Sequence, residues 1–157
     1  MSTDLRITRI QSVDPSTLAA ISALLPQLSS SASVLTHDRL VLVVSNPNNY
    51  FFVAFSLPEK TIIGTLTLTT APTLTGVRAH IEDVVVDTAA RKRGVGAALI
   101  EEAVRVALSE EVGATSIDLT SRPERVEANR LYQRLGFQKR ETNVYRWQGV
   151  WISEEMC

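Results

Sequence analysis

The chain has 157 residues, of which 45% are hydrophobic and 21% charged, and its formal net charge is −1. This length and composition predict one globular domain spanning residues 1–157, and the near-neutral balance gives no global attraction to nucleic acid. The single cysteine, Cys157, has no partner within the chain, so a disulfide scaffold is excluded and a reducing, cytoplasmic setting is expected. The start, MSTDLRITRI, has no apolar signal core, and apolar runs such as Leu40 to Val44 are far too short to span a membrane.

Leu5 to Ile10 alternates apolar and polar residues, with a slip at Ile10, and predicts an opening strand. Asp14-Pro15 marks a helix start, a capping carboxylate followed by proline at the first helical position. That helix carries Leu18, Ile21, Ala23, Leu24, Leu25 and Leu28, and Pro26 is expected to end or kink it. Ser29 to Ser33 is a polar connection. Thr36 caps a second helix through Leu40, Val41 and Val44, closed by Asn46-Pro47, although Leu40 to Val44 alone would also pass for a strand. Tyr50 to Ser56 and Thr61 to Thr70 predict a hairpin turning over Leu57 to Lys60. The alternation in Thr65 to Thr69 predicts a strand with one buried face and one open face. A turn over Pro72 to Gly76 then leads to the β-branched strand Ile81 to Val86.

The most informative stretch follows, His80 to Leu99. It reads as strand, basic loop and helix, with Arg91-Lys92-Arg93-Gly94-Val95-Gly96 as the helix's first turn. The helix continues along Ala97, Leu99, Ile100, Ala103, Val104, Ala107 and Leu108. Gly94 and Gly96 let backbone N–H groups come close to a ligand, and a helix start offers unpaired donors and a partial positive charge. Arg91, Lys92 and Arg93 add full charges, so the corner suits a phosphate, and a diphosphate better. It is not a P-loop, since no Gly-Lys-Ser/Thr follows, and it fits a dinucleotide fingerprint poorly, with Leu99 at the third glycine position. Further on, Gly113 suits a helix C-cap, and Thr115 to Thr120 predicts a strand parallel to the one before the helix. Ser121 and Glu124 read as a capping box for a last helix with Ala128, Leu131, Tyr132 and Leu135, stopped by Gly136. Gln138 to Trp151, with Val144, Tyr145, Trp147 and Trp151, predicts one or two closing strands.

Arg-x-x-Gly-x-Gly after a strand ending Val-Val-Val-Asp resembles the acyl-CoA motif of the GNAT superfamily of N-acetyltransferases. Ala128 to Phe137 is similar to that family's second signature, Asn-x-x-x-Tyr-x-x-x-Gly-Phe, with one residue fewer between Asn129 and Tyr132. The resemblance implies an α+β GNAT fold, a mixed and mostly antiparallel twisted sheet of six to seven strands flanked by about four helices. It implies that Arg91, Lys92, Arg93, Gly94, Val95, Gly96 and Ala97 hold the pyrophosphate of acetyl-CoA. It also implies that backbone N–H groups of Val84, Val85 and Val86 polarise the thioester carbonyl, and that Asn129 bonds the pantetheine arm.

Acetyl transfer to an amine needs a proton donor for the departing thiolate. Tyr132 is the candidate, since the reference pKa of a tyrosine is about 10 and that of a thiol about 8.5. The amine must be neutral, so a base is needed. Glu82 and Asp83 alternate along a strand, which lets only one face a cleft. The pentad Glu82 to Val86 resembles that of polyamine acetyltransferases, and His-Ile-Glu-Asp that of glucosamine-phosphate acetyltransferases, which implies Glu82 as the base. His80 is on the same side as Glu82 and is a weaker candidate, and an ion pair of the strand-end carboxylate with Arg78 is the bland alternative. The expected reaction is direct transfer from acetyl-CoA to a primary amine of a small molecule. The rivals are a protein acetyltransferase and a non-catalytic coenzyme A sensor. Two distant histidines make no metal set, no membrane or nucleic-acid partner is expected, and the tryptophan-bearing C-terminus leaves a homodimer open. Ser29 to Thr36 and Lys139 to Asn143 are the expected substrate-facing loops.

Overall fold

The computed structural model describes residues 4–149. Its elements are β1 (Leu5–Arg9), α1 (Pro15–Leu28), α2 (His37–Ser45), β2 (Asn49–Ser56), β3 (Thr61–Thr73), β4 (Gly76–Val86), a 3-10 turn (Thr88–Ala90), α3 (Val95–Ala107), β5 (Ala114–Asp118) and α4 (Val126–Arg134). The five strands form one sheet in the order β1-β2-β3-β4-β5. Every neighbouring pair is antiparallel except β4 and β5, which are parallel.

Both early helices start as their caps dictate. The Asp14 carboxylate accepts from the Thr17 N–H at 2.7 Å, and the Thr36 hydroxyl accepts from the Arg39 N–H at 3.1 Å. Pro26 does not end α1. It sits in the last turn, and the helix runs two residues past it to Leu28.

The strands are covered on both faces. In β2, Tyr50, Phe52 and Ala54 join one core with Leu99, Ile100, Ala103 and Ala107 of α3. Phe51 and Val53 point the other way, onto Ile21 and Leu24 of α1 and Leu40 and Val44 of α2. This double cover corrects one expectation, that the threonine face of β3 is open. Thr65 and Thr67 are 4% and 6% exposed, because helices lie over that face as well. Fully burying residues such as Leu99, Ile100 and Phe52 stabilises by about 1.5–3 kcal/mol each.

Three further expectations need correcting. Gly113 is not a helix cap: α3 ends at Ala107, and Gly113 serves a separate turn at φ 60°, its N–H donating to Ser109 O at 2.7 Å. Ser121 and Glu124 form no capping box, since α4 begins only at Val126 and no side chain caps it. The sheet has five strands rather than six to seven, because residues 138–149 join no strand, and Trp151 lies outside the described residues.

The position of the functional site follows from β4. Its register against β3 passes from Thr65↔Val85 to Thr67↔Glu82, so β4 carries one extra residue there. Asp83 takes the left-handed conformation, φ 52°, that absorbs it. The bulge also reverses the alternation. Ala79 and Ile81 pack into the α3 core, and so do Val84 and Val86, while Val85 turns to the α1 side. The parallel pairing of β4 with β5 runs from Val77↔Ala114 to His80↔Asp118 and stops there, before the bulge. Beyond that point β4 and β5 part, and a gap opens in the sheet.

Candidate active site

The gap is a cleft of about 160 Å³. Ile81, Glu82, Asp83 and Val84 of β4 form one wall, Leu119 and Thr120 beyond β5 the other, and Leu28, Arg125 and Tyr132 close it. Glu82 and Asp83 both line it, contrary to the alternation expected from sequence. The extra residue at the bulge puts successive side chains on the same opening. Glu82 Oε1 lies 3.1 Å from His80 Nε2, and its side chain is half exposed, so it meets both the imidazole and water. Arg78 is engaged elsewhere, with Thr75 at 2.8 Å and Ser116 at 3.3 Å.

Tyr132 is 7% exposed, with its ring edge-on to Phe137 at 6.3 Å between centroids. Among the described residues its hydroxyl has no hydrogen-bond partner, so the proton is available to whatever enters the cleft. Burial pushes the phenol above its ordinary value, against a smaller opposing pull from Arg125. At neutral pH Tyr132 is therefore a fully protonated acid.

Asn129 is placed differently from Tyr132. Its Nδ2 donates to the Arg122 carbonyl at 3.0 Å, which ties down the β5–α4 connection, and it does not line the cleft. Neither loop expected to face substrate lines the cleft, although Leu28 at the end of α1 does. Sequence reasoning also missed Arg125. The available signal was its spacing, seven residues before Tyr132 and so two helical turns away, but it was hidden by placing the helix start at Ser121.

At the other end of Val84-Val85-Val86 the chain reaches the basic corner. The helix begins at Val95, later than the sequence implied, and Gly94 precedes it at φ 78°, a conformation glycine adopts without strain. No side chain caps α3, and its first intrahelical bond runs from the Ala98 N–H to Gly94 O at 3.0 Å. The N–H groups of Val95, Gly96 and Ala97 precede that bond and are left for a ligand. Arg91, Lys92 and Arg93 stand exposed around them, Lys92 at φ 62° and Arg91 with its Nε 3.4 Å from Val86 O. The glycines divide their work. A Cβ on Gly94 would meet nothing within 4 Å, whereas one on Gly96 would stand 3.3 Å from Leu131 of α4. Gly96 is thus needed for close packing of α3 against α4, in addition to exposing backbone. Gln27 of α1 braces the corner, its Oε1 accepting from the Thr88 N–H at 2.9 Å and the Thr88 hydroxyl at 2.7 Å.

An uncapped helix start ringed by three cations, beside an open cleft with a buried tyrosine, could hold a phosphate-bearing ligand. Residues 18–137 match the model of the Acetyltransferase (GNAT) family. The chain belongs to that family and is an N-acetyltransferase, and the family uses acetyl-CoA. No curated protein sequence matches it. Among solved structures it is similar to an acetyltransferase of Trypanosoma brucei, at 25% identity and TM-score 0.73, over 92% of this chain and 100% of that one. An aminoglycoside acetyltransferase from an uncultured soil metagenomic sample superposes with TM-score 0.79 at 22% identity, over 93% of this chain and 96% of its own. Glucosamine-6-phosphate N-acetyltransferase of Arabidopsis thaliana superposes with TM-score 0.72 at 19% identity, over 91% and 97%. The last two likenesses are of fold. Among the described residues no group of three or more His, Cys, Asp or Glu could hold a metal ion, and no helix is long and apolar enough to cross a membrane.

Proposed function

We propose that the chain moves the acetyl group of acetyl-CoA directly to a primary amine of a small molecule, both bound at once. The observation that carries this reading is that a buried tyrosine acid and two carboxylates line one cleft, joined through Val84-Val85-Val86 to the anion-binding corner. The corner's residues fit a pyrophosphate: uncapped N–H groups for the oxygens, with Arg91, Lys92 and Arg93 for the charge. The cleft is small, which suits a small acceptor.

Each group then has one task. Glu82 takes the ammonium proton, directly or through water, and its exposed side passes that proton to solvent. The freed amine lone pair attacks the thioester carbonyl. Backbone N–H groups along Val84 to Val86 steady the oxygen charge as it develops. As the C–S bond breaks, Tyr132 gives its proton to sulfur, and its own proton is restored from the acetylated nitrogen. Among the described residues no cysteine lines the cleft, and the direct route calls for no acyl-enzyme. The layered likeness to aminoglycoside and amino-sugar acetyltransferases also favours a small-molecule amine.

The test is incubation with acetyl-CoA and a panel of small primary amines, read by mass spectrometry and free thiol. The expected result is an N-acetyl product in proportion to thiol, with no acetylated protein when the amine is omitted. Acetylation confined to peptides would transfer the reading to a protein substrate.

A further inference from the structure

Arg125 is the cation of the cleft. It sits at the N-cap of α4 and lines the same opening as Glu82, Asp83 and Tyr132, and its guanidinium has no ion-pair or hydrogen-bond partner among the described residues. The other cations near the site, Arg91, Lys92 and Arg93, stand at the donor corner and line none of it. An exposed arginine lining a cleft with two carboxylates, yet paired with neither, leaves a planar fork of donors available to whatever occupies the space. The lining therefore carries both signs of charge: carboxylates suited to an ammonium, and a guanidinium suited to an oxyanion.

Building on the acetyltransferase reading above, we propose that the acceptor is an amine that also bears an anionic group, a carboxylate or a phosphate, and that Arg125 is the specificity-determining residue that binds it. The ammonium meets Glu82 and Asp83 while the anion meets Arg125, which fixes the substrate at both ends and aims its nitrogen past Val84. An amine with a second cation would be repelled by Arg125, and one with a neutral tail would gain nothing from it.

Matched pairs of amines test this. One pair is 4-aminobutyrate against butylamine, the other 2-aminoethyl phosphate against ethylamine. The wild type should favour the anionic member of at least one pair by about 10–100-fold in kcat/KM, the worth of one charge-assisted hydrogen bond. Which pair shows the preference separates carboxylate from phosphate. Arg125→Gln should collapse the preference to about unity with the KM for acetyl-CoA unchanged, and Arg125→Lys should keep part of it. The ratio within a pair cancels any effect on Tyr132, which both members share. Preference for the neutral members, or an R125Q protein that keeps the preference and instead loses acetyl-CoA affinity, would overturn the proposal. Calorimetric titration of the anionic amines into CoA-saturated protein reads the same contact without turnover. Binding lost in R125Q upholds the role of Arg125 even if no amine is acetylated, an outcome that would sink the reaction but not the site. Equal binding by wild type and R125Q would overturn it.

Discussion

The corner that begins α3 is made of backbone, and the cleft beside Tyr132 is made of side chains. In the corner the proposed working groups are the N–H donors of Val95, Gly96 and Ala97, left free because Gly94 can hold φ 78° and because no side chain caps the helix. In the cleft the proposed ones are Glu82, Asp83, Arg125 and Tyr132, gathered from β4, the start of α4 and its interior. A backbone site recognises a feature common to all acyl-CoA donors. A side-chain site can be rewritten residue by residue. Such a division would let one fold keep its donor while the acceptor changes, and proteins of this fold include an aminoglycoside acetyltransferase and a glucosamine-6-phosphate N-acetyltransferase.

Substitutions should separate the two regions by which constant they move. The largest effect belongs to Tyr132→Phe. The ring stays against Phe137, so melting should be preserved, while kcat falls by about 10²–10⁴ and the KM for acetyl-CoA holds. Glu82→Gln comes next. Its rate should fall about 100-fold at neutral pH and recover partly at high pH, where free amine arises without help. Asp83→Asn should cost less. If the order of the two is reversed in the pH–rate profiles, the bulge has given Asp83 the role of base. On the other side, Arg91→Ala or Arg93→Ala should raise the KM for acetyl-CoA by about tenfold or more and leave kcat for bound substrates near its starting value. Gly96→Val should blur the comparison in a diagnostic way. It presses on Leu131 and so lowers stability by about 1–3 kcal/mol, read by thermal melting, as well as weakening the donor. Unchanged acetyl-CoA binding in all three corner variants would mean that the corner holds something else.

The same division sets what the sequence made legible. The corner was readable because its signals are local: β-branched strand, glycines, cations and an apolar helical stripe within twenty residues. The caps at Asp14 and Thr36 were readable for the same reason. The cleft depends on long-range register. The bulge at Asp83 leaves no glycine or proline to mark it, since aspartate tolerates the left-handed region, so strict alternation excluded a residue that in fact lines the site. Ser121 and Glu124 have the right spacing for a capping box, yet among the described residues the buried Ser121 hydroxyl has no partner, and α4 starts at Val126 rather than at Arg122, the first position a cap at Ser121 implies. That shift hid Arg125. Asn129 carried the family signature but spends its amide on the Arg122 carbonyl. Thr65 and Thr67 looked solvent-facing because alternation reports polarity, not the helices that fold over it.

The role of Tyr132 as the acid that releases the thiol is tested most directly by the pH dependence of kcat at saturating acetyl-CoA, in wild type and Tyr132→Phe side by side. Burial raises the phenol, so its protonated form persists to higher pH than in a free tyrosine. The wild type should therefore hold its rate to a higher pH than an ordinary phenol would allow and then lose it as the acid deprotonates. The variant should be slower throughout and lack that alkaline limb. A Tyr132→Phe protein that melts normally, turns over at the wild-type rate and shows the same limb would contradict the assignment and reduce Tyr132 to a packing residue.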